Sequence, residues 1–165
     1  MPNDVNNTIQ GLKDLALSMA SGDASPDDAV DAVRKGLTHS SARVVKRAAI
    51  ICLDQRMEEL AGSLCAAYQR LLKKPQKSDP GCDAKLAIIE ALRHLDFADV
   101  DFYLTALHYR QHEPVWGGSV DTAAEVRATA AMALVRLGAP NLVLELVDLM
   151  VDPEPAARAG ARAGT

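Results

Sequence analysis

Residues 126–137 read VRATAAMALVRL, an apolar run at helical spacing whose alanines leave room for a second helix to approach closely. The turn signal Gly138-Ala139-Pro140-Asn141 follows at once, and a second short apolar helix is expected over 142–151. Two short helices joined so tightly make a hairpin with one bare apolar flank. Such a unit holds only when similar units lie against it, so this stretch calls for repeats elsewhere in the chain.

The chain supplies them. Val45-Lys46 followed by Ala49, Ile50, Cys52 and Leu53 recurs as Ala84-Lys85 followed by Ile88, Ile89, Ala91 and Leu92. It recurs again as Val126-Arg127 followed by Ala130, Ala131, Ala133 and Leu134, and a fourth copy opens at Ala157-Arg158 with Ala161. The starts lie 39, 42 and 31 positions apart, near the length of helical-hairpin repeats.

A second feature travels with the word. Asp79, Asp121 and Asp152 stand six positions before Lys85, Arg127 and Arg158, with Ser40 in the same place before Lys46. A carboxylate just outside a helix accepts backbone N–H bonds there and also reaches the basic residue of an adjacent layer. Read as exposed pairs these are worth little, roughly 0–1 kcal/mol each, so the ladder is expected to set stacking register rather than to supply stability.

Residues 1–39 read as an N-terminal capping pair. A helix over about 5–20 puts Ile9, Leu12, Leu15 and Met19 on one face, and Ser25-Pro26 opens a second helix with Val30, Val33 and Leu37 inward. Asp27, Asp28, Asp31 and Lys35 give that pair a polar outer face. The repeats then divide at about 40–78, 79–120 and 121–151, with a partial unit at 152–165.

Aromatics are only 4% of the chain while 48% is hydrophobic, and no β-branched alternation is present. The expected fold is therefore all-α, with about four stacked helical hairpins, the last incomplete. A net charge of -4 argues against a nucleic-acid partner, which would need clustered Lys and Arg. Cys52, Cys65 and Cys82 form no CxxC pair and read as small buried hydrophobes of a reducing compartment. The N-terminus has no apolar signal region and 142–151 is too short to span a bilayer, so no membrane partner and a cytoplasmic location are expected.

Residues 152–158, DPEPAAR, and the stretch 121–138, with weaker copies from Ser40 and Asp79, resemble the HEAT-like repeat family in its bacterial form related to phycobilin-lyase repeats. The resemblance covers about 40–165. It implies a right-handed α-solenoid, or α-α superhelix, with the first helix of each hairpin on the convex side and the second on the concave side. It also implies a scaffold or adaptor, although the same repeats serve lyases and occasional enzymes.

On that reading the groove helices are about 57–73, 98–111 and 141–151. Their polar stripes carry Glu59, Ser63, Arg70 and Lys73, then Asp101, Thr105, His108 and His112, then Asn141, Glu145 and Asp148. Phe97, Phe102, Tyr103, Tyr109 and Trp116 fall within twenty positions, among His94, His108 and His112. Beside them lies the loop 110–121, RQHEPVWGGSVD, longer than the usual link of 2–8 residues between packed helices. Trp116 either folds back as a lid, with Gly117-Gly118 making the turn, or stands out beside Arg110 and His112 as a protein-binding hot spot.

The candidate contact surface is Asp101, Thr105, His108, Tyr109, Arg110, His112, Glu113 and Trp116, with Arg70 and Lys73. His108 and His112 would share one face of a continuous helix, with Glu113 nearby as a third metal ligand. HExxH, however, would need Glu where Tyr109 stands, and Pro114 ends the helix near His112. No nucleophile elbow, phosphate loop or dinucleotide turn is present. The expectation is a non-catalytic protein without cofactor or metal that binds a protein partner through its concave face and the 110–121 loop. The alternative is a lyase or other enzyme of the same repeat class, bilin lyase-like or metal-dependent. The helix over 156–164 lacks a partner and contains two glycines, so it is expected to fray and to leave 142–151 partly uncovered. Such a surface favours self-association through the incomplete repeat or a longer array.

Overall fold

The computed structural model describes residues 2–163. Among them the chain is mostly helical (74%), with ten helices and a small two-strand hairpin. The helices are α1 (Pro2–Ser21), α2 (Pro26–Thr38), α3 (Ala42–Asp54), α4 (Ala61–Leu72), α5 (Pro75–Ser78), α6 (Asp83–His94), α7 (Val100–Leu107), α8 (Ala124–Leu137), α9 (Leu142–Met150) and α10 (Pro155–Ala163). The strands β1 (His112–Val115) and β2 (Gly118–Asp121) lie between α7 and α8. Short 3-10 turns, Glu58–Leu60 and Pro80–Cys82, lead into α4 and α6. No helix among the described residues is long and apolar enough to cross a membrane.

The helix ends follow local chemistry. Asp99 caps α7, its carboxylate accepting the Phe102 N–H at 2.9 Å. Pro26 opens α2 with Asp27 and Asp28 in the first turn, where negative charge meets the positive end of the helix. Gly138 closes α8 at φ +61°, the left-handed position that glycine takes without a Cβ penalty.

Packing is sequential. Helix α3 lies against α2 and α6, α6 against α8, and α8 against α10, while α1 covers α2 and α3. Helices α4, α7 and α9 pack beside α6, α8 and α10 respectively. One apolar core runs through all of these, from Leu12 and Val33 by way of Ile51, Ile88 and Leu92 to Leu134 and Ala161.

Four expectations change. The chain is not wholly α-helical, because 112–121 forms an antiparallel ribbon rather than an open loop, with His112 opposite Asp121 and Val115 opposite Gly118. The helix expected over 98–111 stops at Leu107, so His108 and His112 do not share a helical face. Four of the five clustered aromatics pack in or against the core, Phe102 and Tyr103 buried and Phe97 and Tyr109 half-buried; Phe97, Phe102 and Tyr103 meet edge-on, and Phe102 meets the Tyr68 ring at 5.2 Å. Finally, α10 is held firmly. A Cβ on Gly160 would lie 2.4 Å from the Ala128 Cα, so the two backbones touch there, and Ala157 and Ala161 are buried on either side.

Candidate functional site

The carboxylates expected at helix entrances are present, but they are buried. Asp79 accepts the Ala84 and Lys85 N–H groups at 3.1 and 2.9 Å, and its carboxylate takes the Lys85 ammonium at 3.1 Å. Asp121 accepts the Gln111 and Ala123 N–H groups, each at 3.0 Å, and the Arg127 guanidinium at 2.7 Å. Arg127 also grips Asp152 through Nε and Nη2, each at 3.0 Å, and donates to the Tyr109 carbonyl at 3.0 Å. Arg110 closes on the same pair from outside, 3.0 Å from Asp152 and 3.6 Å from Asp121.

The expectation of weak, solvent-screened pairs is therefore corrected. Arg127, Asp121 and Asp152 are all buried, and a charge left alone there would cost several kcal/mol, about 3–5. Burial by itself would raise both carboxyls. Backbone N–H bonds and Arg127 outweigh it and hold Asp121 below the usual range, and the same groups together with Arg110 do so for Asp152. The first rung differs. Ser40 brings no charge, and Lys46 reaches forward instead to Asp83 at 2.8 Å on the surface.

The ribbon grows from this ion cluster. Gln111 is buried, and its Nε2 donates to the Asp79 carbonyl at 3.0 Å and to Glu113 at 2.6 Å. The Tyr109 hydroxyl donates to Gln111 Oε1 at 2.5 Å. Glu113 gathers the Gly81 N–H at 2.7 Å and the Thr122 hydroxyl at 2.9 Å on the same oxygen. Burial pushes this carboxyl up, but those hydrogen bonds and the Lys85 charge prevail and keep it ionised below its ordinary value. Gln76 donates to the His112 carbonyl, so β1 is tied to the α5–α6 corner at two successive residues.

The tip is free of such ties. Trp116 is fully exposed, and Gly117 takes φ +89° beside it to complete the two-residue turn between Val115 and Gly118. Residues paired across antiparallel strands share a face, so Val115 and Val120 lie on one side of the ribbon, and both are exposed. Trp116 therefore does not fold back as a lid.

The candidate residues do not form one surface. Tyr109, Arg110, His112, Glu113 and Trp116 belong to the ribbon and its base. His108 caps α7 and faces Glu145 of α9 at 3.0 Å. Asp101 and Thr105 lie exposed on α7, with the Thr105 hydroxyl turned back to the Asp101 carbonyl at 2.9 Å. Arg70 is committed elsewhere: its guanidinium donates to the Leu37 and His39 carbonyls at 2.6 and 2.9 Å, satisfying the end of α2. Lys73 is exposed beyond the last residue of α4.

No group of three or more His, Cys, Asp or Glu side chains suited to a metal ion occurs among the described residues. Cys52, Cys65 and Cys82 are free, and burial pushes the first two thiols up to about 12 and about 11, away from nucleophilic thiolates. Two groups escaped the sequence reading. Gln111 and Thr122 carry the base of the ribbon, and the legible signal for it was Val115, Gly117-Gly118 and Val120, a paired-glycine turn between β-branched residues. Comparison with protein-family models, with curated proteins and with solved structures finds no match for this chain.

Proposed function

We propose that this protein is a non-catalytic scaffold or adaptor of HEAT-like kind, its helical hairpins forming a right-handed solenoid that holds a protein partner. The sequential packing of α3, α6, α8 and α10 supports the repeat reading, as does the recurrence of an aspartate six positions before Lys85, Arg127 and Arg158. The partner is bound by the 112–121 ribbon and the adjoining concave face, in a cytoplasmic setting.

One observation carries this reading: Trp116, with Val115 and Val120, is presented to solvent at the end of a ribbon whose base is locked by hydrogen bonds. An exposed tryptophan on a pre-ordered support loses little entropy on binding and fits the anchor role found at interface centres. The test is capture from extract of the source cell, with the captured protein then titrated as a purified component. Trp116→Ala should weaken the affinity by about 2 kcal/mol or more, whereas His94→Ala should not. Equal affinity for the two variants would refute the site.

A second reading, self-association through the C-terminal helices, is favoured by the exposed row Val143, Val147 and Met150 on α9, at helical spacing. Sedimentation equilibrium distinguishes it, since Val147→Asp should then dissociate the dimer. The enzyme alternative, bilin lyase-like or metal-dependent, predicts stoichiometric retention of a bilin or a metal ion after gel filtration.

A further inference from the structure

Where α3 and α6 begin, on the opposite end of α6 from His94, the surface opens into two adjoining clefts of about 400 Å3 each. Arg43, Lys46 and Asp83 line both; Lys77 and Ser41 border the first, and Arg47 with Ile9 the second. Four cations thus converge on a protein whose net charge is -4. Of the two carboxylates present, Asp79 is turned inward to Lys85 and the α6 amides, and Asp83 meets only Lys46.

Three of the cations lack a counter-charge. Arg43, Arg47 and Lys77 form no ion pair among the described residues, and the Nε of Arg47 is buried with no acceptor. The start of α3 adds to this. Ser41 stands at the N-cap of a helix of 13 residues, yet its side chain makes no cap bond, and the positive end of the helix faces the first cleft. Apolar walls from Ile9 and Ile50 concentrate the field of these charges in the second.

We propose that these clefts form a binding site for a compact phosphate-bearing anion of the diphosphate class. Arginine forks, a lysine and a helix start together match tetrahedral oxyanions better than a lone carboxylate. The space suits a small molecule. A nucleic acid would need a longer basic track than this acidic protein offers. The clefts lie away from the tip of the ribbon, and Asp79, whose carbonyl holds Gln111 at the ribbon base, borders the first of them.

The test is isothermal titration of the full-length chain at low salt with inorganic pyrophosphate, and in a parallel arm with adenosine diphosphate. Saturable one-to-one binding of pyrophosphate is expected. Arg43→Ala and Lys77→Ala should each weaken it by about tenfold, while the double variant Lys35→Ala/Arg56→Ala, which removes two exposed charges elsewhere, should leave it unchanged. Arg43 and Lys77 are exposed or flank open surface, so far-UV circular dichroism and the thermal midpoint should stay at wild-type values. Binding of both ligands assigns the site to the diphosphate end of a larger molecule, and binding of pyrophosphate alone assigns it to the free anion. No saturation, equal loss in the control variant, or an identical response to sodium sulfate at matched ionic strength would overturn the proposal.

Discussion

Arg127 and Asp152 face each other through two hydrogen bonds of 3.0 Å, although 25 residues separate them in the chain. The pair joins α8 to the entrance of α10, and Asp121 holds the same guanidinium from the ribbon side. Arg127→Ala would leave two buried carboxylates with their backbone N–H bonds and, among the described residues, the half-exposed Arg110 as sole counter-charge. A loss of about 3–5 kcal/mol in urea denaturation is expected. Arg127→Lys should recover part of it, because the charge returns but the planar fork does not.

Acid should unfold the protein through these same groups. Asp121, Asp152 and Glu113 all titrate below their ordinary values in the folded chain. A lowered folded value means that the unfolded chain takes up protons first. Their contribution is complete above the unfolded value of about 4 and is lost as the pH falls through the lowered folded values. Thermal midpoints followed by circular dichroism should be level from neutrality down to about pH 5 and drop steeply below it. In Asp152→Asn the neutral midpoint should be lower and the acid drop shallower.

Gly160→Ala tests the contact of α10 with α8. The added methyl would meet the Ala128 backbone, which has no flexible end to move aside. A destabilisation of about 1–3 kcal/mol is expected, read as faster hydrogen exchange over α10. Gly62→Ala, with open space around its position, should be neutral or stabilising.

Trp116 is the sole tryptophan of the chain, so its fluorescence reports the ribbon tip alone. Emission should be that of a water-exposed indole, and acrylamide should quench it nearly as well as a free tryptophan derivative. Trp116→Ala should leave stability within about 0.5 kcal/mol of wild type, which separates a binding role from a packing one.

The helices were legible because their information is local. Spacing of apolar residues, Pro26 after Ser25 and the glycine at 138 each act within a few positions, and the observed α2, α8 and α9 begin and end close to where these signals place them. The aspartate word was legible too, but not its burial, which depends on Arg110 and on the ribbon folding over it. Aromatic clustering misled for a related reason. Proximity in sequence does not tell a core ring such as Phe102 from a surface one such as Trp116, since that depends on which helix lies opposite. Arg70 looked like a free groove cation until its acceptors, the last carbonyls of α2, were brought beside it by packing.

Gln111 makes the ribbon a lever with its fulcrum inside the protein. The side chain that steadies Glu113 also hangs from the carbonyl of Asp79, whose carboxylate holds the first amides of α6. Whatever pulls on the indole must therefore be felt at Ala84 and Lys85. The slowing of those two amides toward deuterium would announce an occupant that never touches them.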